Sequence, residues 1–214
     1  SGFAATLRVG LTRSGDITIV SYTNPIYWGN AYYRNDFDRV ASHYTQITKD
    51  FDEAMKGIGT YKNEGFGSEK GLTVEKLRKY HYMLGMPYFD DVVDLAEFDD
   101  NEKALKRIDS NLKNGVPNVK LIYKLSIPNT SLTLYGFALS GEDGEASFLP
   151  KIDIDDPKHT AFLPYEMLLN DKEVVMLHGR FRIAISFPDL TMGTFTKIMS
   201  TPGNIEDMLE EVAK

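Results

Sequence analysis

The stretch VKLIYKLSIPNTSLTLYGFAL, residues 119 to 139, decides the fold class. Val119, Leu121, Tyr123 and Leu125 alternate with Lys120, Ile122 and Lys124, the two-residue period of a strand with one face on a core. Asn129, Thr130 and Ser131 make a turn. The chain returns through Leu132, Leu134, Gly136 and Ala138, with Tyr135 and Phe137 on the other face. Strands joined by so short a turn are antiparallel.

Reading outward, 92–98 is apolar enough for a strand, and Asp99, Asp100 and Asn101 place acids and a cap at a helix start. Ala104, Leu105, Ile108 and Leu112 give that helix its apolar stripe, and Gly115 with Pro117 ends it. Residues 162–169 and 173–177 read as a hairpin around Asn170, Asp171 and Lys172, and 182–187 as a third strand stopped by Pro188. Helices follow near 190–199 and 204–213, the last with Asn204 as cap and Ile205, Met208, Leu209 and Val212 as its stripe.

In the N-terminal part, 5–23 reads as a hairpin around Ser14, Gly15 and Asp16, ended by Asn24 and Pro25. A helix over 36–55 is predicted from Phe37, Val40, Tyr44, Ile47 and Phe51. Residues 57–71 hold five of the 17 glycines and read as a loop. Thr73 starts another helix, which runs to Gly85. The expected fold is therefore α+β, an antiparallel-rich sheet with helices packed on one face. Three regions are expected: a hairpin plus long helix over 1–60, a glycine-rich loop and helix linker over 61–90, and an α/β unit over 91–214. The runs 17–25 and 182–189 echo one another as strand, Ser-aromatic, proline and a later glycine. The echo reads either as two related α/β units, an internal repeat, or as shared strand-to-helix grammar.

Composition excludes several classes. There are no cysteines, hence no disulfide, thiolate metal site or cysteine nucleophile. A formal net charge of −7 without a basic run argues against nucleic acid as a partner. No apolar stretch approaches the roughly 20 residues a membrane-spanning helix needs. The opening Ser1, Gly2, Phe3 lacks a methionine and reads as a non-native start, compatible with an export signal upstream.

The run Ser21, Tyr22, Thr23, Asn24, Pro25, followed by aromatics and a helix, resembles the DUF302 family, a small α/β domain of unassigned function. The stretch from Leu163 to Leu169, continuing through Phe187, Pro188 and Asp189, resembles the same part of that family. The resemblance implies a location in the bacterial envelope, periplasmic, with a cytoplasmic location as the alternative. It implies no catalytic residues.

Candidate chemistry falls in four groups. Tyr22, Asn24, Tyr27 and Trp28, with Tyr32 and Tyr33, are aromatics with polar tips that suit a ligand pocket, a protein interface or a core. His178, Arg180 and Arg182 share one face if the segment is a strand, where they either bind a carboxylate or phosphate or pair with Glu166 or Glu173. His81, Met83 and Met86 are soft ligands of the Cu(I) kind, but point apart on a continuous helix, so end-of-helix packing is the simpler reading and no cofactor is implied. The acidic groups Asp90–Asp91, Asp99–Asp100 and Asp153, Asp155, Asp156 sit at element ends, as solvated caps do. No nucleophile elbow, P-loop, dinucleotide fingerprint or zincin motif is present. The expectation is a non-enzymatic binding protein that holds a small molecule or a partner through the aromatic patch. The alternatives are an enzyme acting on a small anion held by Arg180 and Arg182, or a structural subunit of a homo-oligomer such as a homodimer.

Overall fold

A computed structural model describes residues 2–62, 64–68, 72–81, 88 and 91–214. After a 3-10 turn over Gly2–Ala5 come a hairpin of β1 (Val9–Ser14) and β2 (Ile17–Tyr22), helix α1 (Pro25–Tyr33), a 3-10 turn over Arg34–Arg39, α2 (Ala41–Lys56) and α3 (Val74–Arg78). Then follow β3 (Val92–Glu97), α4 (Asn101–Asn114), β4 (Val119–Ser126), β5 (Leu132–Leu139), α5 (Glu145–Ile152), β6 (Tyr165–Asn170) and β7 (Glu173–Leu177). The chain finishes with α6 (Gly179–Ser186), α7 (Met192–Phe195) and α8 (Thr201–Ala213). Besides the β1–β2 hairpin there is one five-stranded antiparallel sheet, ordered β3-β7-β6-β5-β4, so the α+β class holds.

Alternation along the strands divides two cores. Tyr135 and Phe137 of β5, Met167 and Leu169 of β6, and Val174 and Met176 of β7 face a layer built by Ala104 and Ile108 of α4, Phe148 of α5, and Ile205 and Leu209 of α8. Leu134, Leu168, Val175 and Leu177 face the opposite side, where Phe3, Trp28, Ala31, Tyr32 and Leu77 cover them. The sheet thus carries the expected helical layer on one face and the N-terminal segment with α1 and α3 on the other. Within the expected first region, 1–60, residues between Phe3 and Tyr32 share a core with the sheet.

β4 departs from simple alternation. Leu121 pairs with Phe137 but Tyr123 pairs with Gly136, so Ile122 is the extra residue of a bulge. The bulge turns Tyr123 off the face of Val119 and Leu121 and onto the face of Leu134. Gly136 permits this, because a Cβ there would run into the Tyr123 ring.

Four expectations are corrected. The segment that alternates as Arg182, Ile183, Ala184, Ile185 is helical, in α6. Phe181, Arg182, Ile183, Ala184 and Ile185 are all buried there, and a helix buried all round loses the 3.6-residue signature. Asn24 and Pro25 end β2, but they also start a helix: Asn24 accepts from the Tyr27 amide and Pro25 occupies the first turn. The helix expected over 36–55 begins at Ala41, after the 3-10 turn. α8 begins at Thr201, which puts Asn204 inside its first turn instead of at its cap. The echoing segments 17–22 and 182–187 consequently adopt different structures, strand and helix.

One ionic cluster ties these layers together. Glu166 of β6 is 2% exposed and lies on the face of the N-terminal segment. It accepts from Thr6 (2.9 Å) and from the Tyr123 hydroxyl, and pairs with Arg182 Nη1 (2.9 Å) and with Arg8. Arg182 also donates through Nη2 to the carbonyls of Phe162 (2.7 Å) and Pro164 (2.5 Å), and lies 4.7 Å from the Tyr165 ring centroid. Burial works against ionising Glu166; Arg8, Arg182 and the Tyr123 bond outweigh it and hold the carboxyl below its ordinary value. A depressed carboxyl contributes stability above its unfolded pKa of about 4.3 and loses it as pH falls toward the folded value. Glu166→Gln leaves two buried arginines without a counter-charge and is expected to cost about 3–5 kcal/mol in chemical denaturation. The variant is also expected to lose part of the acid limb of the stability profile below about pH 4. A loss under about 1 kcal/mol would show that the cluster is not what joins the layers.

Candidate functional site

The aromatic residues singled out in the sequence do not converge. Tyr22 stacks on Phe51 (5.1 Å between centroids) and donates to Asp52 (2.7 Å), which also accepts from Tyr61 (2.9 Å). The two phenol bonds, Tyr22's first, hold the Asp52 carboxyl below its ordinary value. Burial, then the Asp52 bond, pushes the Tyr22 hydroxyl up. Asn24 is an exposed helix cap. Tyr27 donates to the Ile185 carbonyl of α6 (2.6 Å), and Trp28, 5% exposed, packs on Tyr32 at 5.0 Å. Tyr27 and Trp28 therefore hold α1 against the sheet and α6.

The basic trio is separated as well. His178 caps α6, its Nδ1 accepting from the Arg180 amide (3.2 Å). Burial, then Arg180, lowers its pKa. Arg180 and Arg182 are two residues apart on a helix and so point to different sides. Arg182 is 1% exposed and paired with Glu166, one of the two acids proposed for it. His81 bridges to Tyr88, with rings 4.6 Å apart, while Met83 and Met86 lie outside the described residues. Among the described residues no group of three His, Cys, Asp or Glu is arranged to hold a metal ion. Asp100 caps α4, Asp99 pairs with Lys103 (2.7 Å), Asp91 accepts from the Tyr88 amide (2.8 Å), and Asp90 lies outside the described residues.

An open groove of about 650 Å³ runs between α5 and the chain that follows it. Ala146, Leu149, Pro150, Ile154 and Leu163 form its apolar wall, with Glu145, Asp153 and Lys158 as its polar members. This volume is in the range of small-molecule sites. Burial raises the Glu145 carboxyl, against the opposing pull of the Leu139 backbone bond and of Arg182. Its Oε1 is buried and has no hydrogen-bond partner. An acid perturbed by burial beside an apolar groove is a candidate for a functional site.

At the other end of the groove, Asp153 accepts from the His159 amide (3.0 Å) and holds its ring through Nδ1 (2.8 Å). His159 Nε2 is buried without a hydrogen-bond partner, and the ring lies between Phe187 (4.6 Å) and Phe66 (5.3 Å). Gly67, at φ +103°, closes over Nε2, which a Cβ would approach to 3.0 Å. Ser68 ties this segment to Asp189 (3.0 Å).

Sequence reasoning did not single out Glu145 or His159, and it took Asp153 for a solvated cap, whereas its carboxylate is largely buried against His159. Glu145 follows the turn 141–144 and matches no motif. Pro150 inside α5 hides the helix that aims it. The spacing of Asp153 and His159 matches no motif. The comparisons add no relative: no family model, curated protein or solved structure matches the chain.

Gly67→Ala is expected to strain the positive-φ backbone and to lift residues 64–68 off the ring. His159 should then react faster with diethyl pyrocarbonate than in the parent protein. An unchanged rate, read by peptide mass spectrometry, would mean that Gly67 does not cover the imidazole.

Proposed function

We propose that this chain is a non-enzymatic binding protein that takes a small amphiphilic molecule into the groove beside α5. One observation carries the reading: a part-buried carboxyl, Glu145, stands at the apolar wall of the groove with a buried oxygen, Oε1, that has no hydrogen-bond partner. The wall of Leu149, Pro150, Ile154 and Leu163 removes a ligand's apolar body from water at about 25 cal/mol per Å². Ile154, 62% exposed, is the side chain with most to gain from such cover. The resemblance to the DUF302 family adds the bacterial envelope as the place of action.

A second reading, self-association, is favoured by the β1–β2 hairpin. Its Val9, Leu11 and Ile17 are 49%, 67% and 63% exposed, an apolar surface suited to a homodimer. The enzymatic reading is weakened, because Arg182 is engaged by Glu166 and the Asp153–His159 pair is covered by Gly67.

Ala146 is exposed on the groove wall, so Ala146→Trp fills the groove without entering the core. Native mass spectrometry of protein taken gently from its host is expected to show an added small-molecule mass that the Ala146→Trp variant lacks. Equal added mass in both proteins would place the ligand elsewhere, and its absence from both, together with a concentration-dependent dimer, would favour the second reading.

A further inference from the structure

The surroundings of the His159 imidazole suit a ring with a single proton. Asp153 acts as an acceptor: it takes the His159 amide (3.0 Å) and meets Nδ1 at 2.8 Å. Nδ1 therefore carries the proton of the neutral ring, and Nε2 is the bare nitrogen. That nitrogen is buried and has no hydrogen-bond partner. The Phe187 and Phe66 rings lie 4.6 and 5.3 Å from the imidazole, and Gly67 passes so close that a Cβ would stand 3.0 Å from Nε2. Just past Gly67, Ser68 fastens the segment by donating to Asp189 (3.0 Å).

A second proton changes this balance. Leaving a buried polar atom bare costs most when its group is charged. The imidazolium would present an Nε2–H with nothing to donate to, out of reach of solvent. The neighbouring charges do not oppose a cation. Asp153 touches the ring, and Asp155, Asp156 and Lys158 share its loop. There the Lys158 ammonium is bound by the carbonyls of Asp153 and Asp155 (3.0 Å each) and by Asp156 (3.5 Å). Glu64 belongs to the covering segment, and Asp189 follows Phe187 by two residues. Arg182 lies 5.3 Å over the Phe162 ring, which packs on Phe187, and is itself paired with Glu166. The obstacle to the second proton is therefore the cover and not the charge.

We infer that residues 64–68 form an acid-released cover on the Asp153–His159 pair. Closure of the segment and protonation of Nε2 exclude one another, so the segment lifts from the imidazole as the ring becomes cationic and Nε2–H gains water. Asp153 also lines the groove beside α5, so release exposes the imidazole at that end of it. The inference does not depend on what the groove binds.

The test is an NMR titration from about pH 8 to about pH 5, the interval in which imidazoles change charge, following the His159 ring nitrogens and the Gly67 amide together. The two are expected to move with one midpoint. Hydrogen exchange of the 64–68 amides, corrected for the intrinsic effect of pH, is expected to lose about tenfold in protection over the same interval, the equivalent of one buried N–H left bare. His159→Phe keeps a ring between Phe66 and Phe187 but takes up no proton, so its cover should stay closed throughout. Gly67→Ala strains the positive-φ backbone and should show low protection at both ends of the titration, which keeps the test open if His159→Phe does not fold. A ring that becomes cationic while Gly67 and the exchange of 64–68 stay unchanged overturns the inference. A ring that stays neutral throughout, or a pH response in Gly67→Ala as large as the parent's, does the same. Release that persists in His159→Phe also overturns it and moves the trigger to another group, Asp189 through its bond from Ser68.

Discussion

Glu166 sets the constraint that the rest of the fold answers to. An isolated carboxylate with 2% exposure would be driven to take up a proton, because its desolvation costs several kcal/mol. It is held ionised by four residues from three parts of the chain: Thr6 and Arg8 before β1, Tyr123 of β4, and Arg182 of α6. Each of these must arrive at one point on the sheet. The bulge at Ile122 and the bare backbone of Gly136 bring Tyr123 there. The burial of Gly2 against Leu168 and of Phe3 in the second core brings the N-terminal segment. A buried ion pair of this kind adds little net stability over a well-packed apolar alternative, but removing one partner is costly. It therefore acts as a device for register and placement more than as a source of stability.

α4 is legible because one of its faces is wet and solvent marks its polar positions. β5, β6 and β7 are buried on both faces and are legible for another reason, as short apolar runs bounded by turn residues. A short helix covered on both sides gives the same signal as such a strand. α6 is flanked by both cores, with Ile183 and Phe187 in one and Phe181 and Ile185 in the other, so its residues alternate like a strand. α1 was hidden for a different reason. Asn24 and Pro25 are equally good as the end of a strand and the start of a helix, and local grammar does not choose between them.

The candidate site was less legible than the fold because its members are not special residue types in special spacing. Tyr22, Asn24, Tyr27 and Trp28 look like a pocket in sequence because they are close together in it. In space one stacks on α2, one caps α1, and two pack inward. Glu145 and His159 are ordinary at their own positions and stand out only through a buried atom that has no hydrogen-bond partner. Arg182, named from sequence as an anion binder or a partner of Glu166 or Glu173, is paired with Glu166.

The hold of Arg182 on both Glu166 and the backbone follows from the shape of the guanidinium. Its five donors lie in one plane and point in different directions. Nη1 and Nη2 are used on Glu166 and on the carbonyls of Phe162 and Pro164, which fixes the plane. Nε is left at the edge of the fork, buried and without a hydrogen-bond partner, while the guanidinium carbon lies 4.7 Å from the Tyr165 ring centroid. A lysine at 182 could neutralise Glu166, but it has no planar fork to hold a separate donor in place. The planar fork that reaches Glu166 and the carbonyls of Phe162 and Pro164 at once is thus what secures β6 to α6.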